Sequence, residues 1–151
     1  MRQKLYNYSV LGFPVVIVNP VLKKSLGEVY LDIDHKKFTD TVFRLLIYKP
    51  ARLSGAELRF IRQHMHLSQD EFVRKVFYGE IDRATLSRYE GKKLNASSMN
   101  ASQESVVRAR MIVFALRERP SVKKYFTSVV DNFATCQDVG EPIRIGYDDV
   151  A

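Results

Sequence analysis

Three helix-start signatures follow one another in the middle of the chain, and they restrict the fold more than any other feature of the sequence. Ser54 with Glu57, and Ser68 with Glu71, have the spacing of capping boxes, in which each side chain accepts a hydrogen bond from the backbone amide of the other residue. Asp82 is a third N-cap candidate, because its carboxylate can accept from the free amides of a helix start. The pattern predicts three short helices joined by tight turns, which is typical of a compact all-α unit.

Apolar residues at helical spacing follow each of these starts. They are Leu58, Ile61 and Met65 in the first helix, Phe72, Val73 and Val76 in the second, and Leu86 and Tyr89 in the third. Gly91 is expected to end the third helix as a C′ residue, the position that glycine commonly fills in a left-handed conformation.

The N-terminal third has the pattern of strands followed by one helix. The stretch "YSVLGFPVVIV" is typical of a strand, and "VLKKSLGEVYLDI" contains Gly27 as a turn or bulge, so two or three short strands are expected. From Asp34, a candidate N-cap, the period becomes helical. The apolar face of this helix is formed by Phe38, Val42, Leu45 and Leu46, and Pro50 ends it.

The C-terminal part predicts two further helices and a tail. After the loop "LNASSMNASQ", a helix is expected from Gln103 to Arg117; Pro120 stops it and opens another helix at Ser121. The last fifteen residues have no sustained period, and we expect an extended or disordered tail there.

Together these elements predict an α+β protein. A small β-rich N-terminal module with one helix is expected over residues 1–49, an all-α five-helix domain over 50–133, and an acidic tail over 134–151. Sixteen basic and eight acidic residues lie in the stretch 49–124, whereas the stretch 125–151 holds one basic and five acidic residues. A basic middle suits a polyanion, because neutralising phosphates releases condensed counterions. A solvated basic face is the alternative.

Several function classes find no support in the sequence. No apolar run is long enough to cross a bilayer, and the N-terminus lacks the pattern of a secretory signal, so a cytoplasmic protein is expected. Cys136 is the single cysteine, and His64 and His66 lie on different faces of a helix, so no metal or cofactor is expected. Asp32 and Asp34 have no histidine, metal set or glycine-rich loop beside them, and we expect no enzymatic activity.

The outer face of the third predicted helix is polar and basic. Arg83, Thr85, Ser87 and Arg88 point away from its apolar pair, and Ala84 is small enough to allow a close approach. The planar fork of arginine matches O6 and N7 of guanine. A helix-turn-helix protein lays such a helix in the major groove, so the sequence predicts binding to double-stranded DNA.

Other residues are candidates for the DNA backbone. Gln69 lies at a helix N-terminus, where a side-chain amide and backbone amides can hold a phosphate oxygen. Lys92 and Lys93 follow the third helix and would meet the backbone beyond the groove. Lys49 and Arg52, in "KPARL", are further candidates, with a solvated basic face as the alternative.

The stretches "ELRFIRQHMHLSQDEFVRKV" and "DRATLSRYEGKK" resemble Xre/Cro-type helix-turn-helix regulators over about residues 53–118. The connecting "FYGEID" is about two residues longer than the usual turn of that family. The resemblance implies two sets of contacts. The residues expected at bases are Arg83, Ala84, Ser87 and Arg88, and those expected at phosphates are Gln69 and Thr85.

The order of strands, "GEVYLD", a helix, "LSGAELRFIR", "SRYE" and "FALRERPSVKKYF" is similar to the MqsA (YgiT-type) antitoxins of bacterial toxin–antitoxin pairs. Those proteins usually carry two CxxC pairs that bind zinc. Here "KKSLGEVY" contains no cysteine, so zinc is not carried over.

The same resemblance implies a homodimer on a palindromic operator at the nucleoid, a β-rich module that binds a partner or dimerises, and a cognate toxin. The function expected is a repressor that autoregulates the operon of a type II toxin–antitoxin pair. Two alternatives stay open: a prophage-type regulator without a toxin, and a protein-interaction module that has lost DNA binding.

Overall fold

The structure, a computed structural model, describes residues 2–116 and 139–151. This part of the chain is mixed α+β, with a small β region and five helices. The strands are β1 (Leu5–Tyr8), β2 (Val15–Val18), β3 (Leu22–Ser25), β4 (Glu28–Leu31) and β5 (Ile143–Gly146). The helices are α1 (His35–Tyr48), α2 (Gly55–His64), α3 (Gln69–Val76), α4 (Arg83–Glu90) and α5 (Ala101–Leu116), and a 3-10 turn follows at Tyr147–Asp149. The helix predicted from Ser121 and the cysteine at position 136 lie outside the described residues.

The strands form two small sheets. In the first, β2 is central, with β1 antiparallel on one side and β5 parallel on the other, and Val15 pairs with Ile143. The second is the hairpin of β3 and β4. Its two-residue loop consists of Leu26 and Gly27, with φ of 50° and 85°, so the predicted turn at Gly27 is confirmed. Positive φ at both loop residues is typical of the type I′ turn that suits a tight hairpin.

Two expectations for the strands need correction. The stretch "YSVLGFPVVIV" is not one strand, because the chain leaves β1 at Tyr8, turns, and re-enters the sheet only at Val15. As a result the N-terminal part has four strands and not two or three. Residues 143–146, expected to be extended or disordered, are extended and complete the first sheet.

The four predicted N-caps are confirmed. Asp34 accepts from the Lys37 amide at 2.9 Å, Ser54 and Ser68 form complete capping boxes with Glu57 and Glu71, and Asp82 accepts from the Thr85 amide at 2.7 Å. These are local contacts, which explains why the sequence shows them.

Two details of the helix ends differ from expectation. Gly91 is the C-cap of α4 with φ −68°, and the left-handed conformation falls two residues later, at Lys93 (φ 53°). The last helix described begins at Ala101, two residues before the predicted start. Asn100 caps it, and Asn100 and Gln103 exchange hydrogen bonds of 2.9 and 3.0 Å.

In the described part of the chain, a hydrophobic cluster joins the first sheet to the helices. It includes Val15 and Ile17 of β2, Phe38 of α1, Leu58 of α2 and Ile145 of β5. The cluster therefore crosses residue 50, where the boundary between two domains is predicted. The division into 1–49, 50–133 and 134–151 itself stays a prediction.

A buried ion pair on α5, Arg108 with Glu104 at 3.4 Å, fixes the segment at that boundary. Arg108 of α5, almost fully enclosed, donates to the backbone carbonyls of Ile47, Lys49 and Ala51 at 2.6 to 2.9 Å. One turn earlier, Glu104 accepts from the Leu53 amide at 2.7 Å. Because buried backbone groups must find partners, these two side chains hold the link between α1 and α2 against α5.

Candidate functional site

The helix predicted to contact DNA begins at Arg83. The longer connection before it turns through Tyr78 and Gly79, both with positive φ, and it places Phe77 in the core with its ring 5.7 Å from that of Phe72. Hydrogen bonds from the side chain and backbone of Thr85 hold the pKa of the capping carboxyl of Asp82 below its ordinary value. Phe77 therefore contributes to the core, and the connection ends at a well-capped α4.

The four residues predicted to approach bases share the exposed side of α4. Arg83, Ala84, Ser87 and Arg88 are all exposed, whereas Leu86 is buried against the core. This division matches the pattern expected from the sequence. The face therefore presents two guanidinium groups, a hydroxyl and a methyl group to solvent.

Three of the predicted phosphate ligands lie on α4 or directly after it. Thr85 is half-buried, and its hydroxyl oxygen accepts from Arg88 Nη2 at 2.9 Å. Lys92 and Lys93 are exposed in the turn after the helix. These residues thus lie beside or just beyond the exposed face.

The start of α3 contacts the start of α4 through polar side chains. Arg83 Nε donates to Gln69 Oε1 at 3.3 Å, and its Nη1 lies 3.4 Å from a carboxylate oxygen of Asp70. Gln69 Nε2 in turn donates to Glu90 Oε2 at 3.0 Å. An open groove lies over this network, and its lining includes Arg59, Ser68 and Ser87.

Beneath the groove lies an ion pair that the sequence reasoning missed. Arg62 of α2 donates through Nε to Glu90 Oε1 at 2.6 Å, and both side chains are almost buried. A signal for it exists, since each residue follows a buried leucine, Leu58 or Leu86, by four positions and so shares the inward face of its helix. The pair joins α2 to the last turn of α4.

Two predicted phosphate ligands lie elsewhere. Arg52 pairs with buried Glu104 at 2.9 Å, and it does not line the groove. Lys49 is 6% exposed, and its ammonium donates to both oxygens of Glu57 at 2.8 and 2.9 Å. The ammonium of Lys49 is thus enclosed in the protein, and it could reach a phosphate only if this pair opened.

Residues considered for metal binding or catalysis have structural contacts. Asp34 caps α1, Asp32 pairs with Lys23 at 2.7 Å, and the ring of His64 stacks on Phe43. Within residues 2–116 and 139–151, no group of three or more histidine, cysteine or acidic side chains could hold a metal ion. No helix in the same ranges has the length and apolar character that a membrane span requires.

Comparison with known proteins adds no identification. The chain matches no protein-family model, no curated protein and no solved structure at a significant level.

Proposed function

We propose that this protein is a sequence-specific DNA-binding repressor that reads bases with α4. The observation that supports the proposal is the arrangement of Arg83, Ala84, Ser87 and Arg88 on one exposed helix face, with the first arginine held from the side by α3. Two short helices with capped starts, α3 and α4, are also what the resemblance to helix-turn-helix regulators implies.

The contacts of Arg83 suit a side chain that changes partners on binding. Its ion pair with Asp70 joins side chains that are 66% and 71% exposed, so the pair contributes little to stability. The guanidinium can therefore leave Asp70 for the O6 and N7 acceptors of a guanine, while Gln69 limits the directions it explores. Pre-positioning of this kind lowers the entropy that binding costs.

Phosphate contacts are proposed on both sides of this face. Gln69 has a second amide hydrogen besides the one donated to Glu90. Thr85 lies on α4, beside the exposed face. Lys92 and Lys93 extend the positive charge beyond the helix end. Arg52 is the weakest member of the predicted set, because it must release Glu104 to reach DNA.

The antitoxin role, the palindromic operator and the homodimer are proposed from the sequence resemblance. Neutralisation of a toxin can be tested by expressing this chain together with the protein encoded beside it. Rescue of growth by the full chain, and also by a variant with Arg83 and Arg88 replaced by Ala, would separate neutralisation from repression. Failure of rescue with an active toxin would contradict the antitoxin role and leave repression as a separate question.

Fluorescence anisotropy tests the DNA-binding proposal. The labelled duplex carries the DNA upstream of the gene, a scrambled duplex is the control, and both are titrated at two salt concentrations. We expect about a thousandfold preference for the upstream DNA. Weak, equal and salt-sensitive binding to both duplexes would overturn sequence-specific repression and favour a basic surface on a protein-interaction module.

A further inference from the structure

The hairpin of β3 and β4 exposes several large apolar side chains. Val29 is 63% exposed, Leu22 46%, Tyr30 47%, and Leu26 at the tip is fully exposed. Among residues 2–116 and 139–151, β3 and β4 pair only with each other. A two-stranded hairpin is marginal in water, and further strands stabilise it.

The outer edge of β4 carries backbone groups that face away from β3. In an antiparallel pair, hydrogen-bonded and non-hydrogen-bonded residue pairs alternate. The Asp32 amide donates to the Val21 carbonyl at 3.2 Å, so Asp32 and Val21 form a hydrogen-bonded pair. From this pair toward the loop, every second pair is hydrogen-bonded, and the pair of Val29 with Lys24 is one of those between. The amide and carbonyl of Val29 therefore point outward from β4, and those of Lys24 point outward from β3.

We propose that β4 pairs with β4 of a second copy of this chain, antiparallel about a two-fold axis at Val29, to form a continuous four-stranded sheet. The proposal rests on the proposed function in one respect, since an operator palindrome calls for two copies. Closed two-fold contacts bring the same patch of both copies together, and an antiparallel strand can pair with itself in this way.

The charges on the two edges favour β4 over β3. With the axis at Val29, this residue faces Val29 of the partner subunit and Glu28 faces Tyr30 of the partner subunit, so no like charges meet. An axis at Lys23 or Lys24 would place lysine opposite lysine, which is destabilising. An axis at Leu22 would bring in Pro20, which has no amide hydrogen to donate.

The edge strand β1 of the first sheet needs a partner less. It already belongs to a three-stranded sheet, and its Tyr8 ring packs edge-on against Phe38 with centroids 4.9 Å apart. Within the described residues, Leu31 is the one residue of β4 that packs against the core, and Glu28, Val29 and Tyr30 are all exposed. Pairing at β4 would cover Val29 and Tyr30 together.

Proline substitutions on opposite edges of the hairpin provide a matched test. Val29→Pro removes the amide hydrogen that points outward from β4. Lys24→Pro removes the amide hydrogen of the paired residue, which points outward from β3. Neither substitution removes a hydrogen bond between the two strands. In sedimentation equilibrium at micromolar concentrations, we expect the unmodified chain and Lys24→Pro to be dimers and Val29→Pro to be a monomer. Dimers from both variants, or a monomer from the unmodified chain, would overturn the proposal.

Cysteine cross-linking tests the same edge without proline. In a Cys136→Ser background, Val29→Cys should form an intermolecular disulfide under mild oxidation, and Lys24→Cys should form much less. Equal cross-linking at both positions would contradict the β4 assignment.

Anisotropy with the same proteins separates this proposal from the DNA-binding one. Val29→Pro should bind a half-site duplex as tightly as the unmodified chain but bind the full site at least about tenfold more weakly. A dimer that depends on Val29 but binds no DNA would support the edge and contradict the repressor. Specific binding of DNA by a chain that is monomeric in the absence of DNA would support the repressor and contradict pairing at β4.

Discussion

Arg62 and Glu90 lie 28 residues apart in the chain and form a two-pronged ion pair, with Nε and Nη2 of the arginine donating to the two carboxylate oxygens at 2.6 and 3.2 Å. The side chains are 11% and 6% exposed. Glu90 also accepts from Gln69, which contacts Arg83, so the pair supports the exposed face of α4 from behind. A shift of Glu90 would therefore displace Gln69 and Arg83, which are proposed to contact DNA.

Removal of one partner should destabilise the fold strongly. Glu90→Ala leaves the guanidinium of Arg62 enclosed without its counter-charge, and we expect a loss of about 3–5 kcal/mol in the free energy of unfolding. The double variant Arg62→Met with Glu90→Leu should recover most of the loss, because neither charge then remains buried. Urea denaturation measures both. A loss for Glu90→Ala no larger than for Glu80→Ala, an exposed acid in the preceding turn, would contradict the structural role.

Gly55 should not accept a methyl group. A Cβ at this position would lie 2.5 Å from the Tyr89 carbonyl oxygen and 2.7 Å from that of Glu90, because the start of α2 packs directly on the end of α4. We expect Gly55→Ala to lower the free energy of unfolding by about 1–3 kcal/mol. Gly91→Ala is the control, since its Cβ would lie no closer than 3.2 Å to the nearest atom and its φ suits any residue. Equal stability of the two variants would argue against this close packing.

Arg108 should matter more than its neighbour on α5. Arg108→Met removes the donors to four backbone carbonyls in the last turn of α1 and the segment after it, and we expect a loss of about 3–5 kcal/mol. Arg110→Met is the control. That guanidinium lies 5.0 Å from the centre of the exposed Tyr78 ring, and we expect about 1 kcal/mol or less. Thermal melts followed by circular dichroism compare the two variants.

Acid should weaken α3 and α4 at their N-termini. Hydrogen bonds with Ser68, the backbone one first, hold the pKa of Glu71 below its ordinary value, and the hydrogen bonds of Thr85 do the same for the pKa of Asp82. Because both pKa values are lower in the folded than in the unfolded protein, this stabilisation is complete above the ordinary values of 4.5 and 3.8. It is lost as the pH falls through the lower, folded values.

The variant Asp82→Asn tests this dependence, since asparagine still caps a helix but does not titrate. Melting temperatures between about pH 6 and about pH 2 should fall less steeply for the variant. Identical slopes for the two proteins would show that the Asp82 carboxylate contributes nothing to the acid response.

The helix starts could be predicted because a cap and its partner lie within one turn of chain, as Ser54 and Glu57 do. The exposed face of α4 followed from the same local periodicity. The strand around Ile145 could not be predicted, since "IRIG" joins a sheet only by pairing with β2 at the other end of the sequence. Glu104 and Arg108 were missed for a related reason. Charged side chains are expected on the surface, and only the backbone groups of a distant segment make their burial favourable.

Two substitutions separate base reading from phosphate binding in the proposed interface. Arg88→Ala should cost about 1–3 kcal/mol on the specific site and flatten the preference for one base pair, because a guanidinium at a base edge carries sequence information. Lys92→Ala should weaken binding to specific and scrambled DNA alike, and reduce the dependence on salt, because an ammonium at a phosphate releases counterions from any sequence. Anisotropy titrations of both variants on both duplexes give the four affinities. If Arg88→Ala lost the same free energy on scrambled as on specific DNA, Arg88 would be a phosphate ligand, and base reading would be left to Arg83 and Ser87.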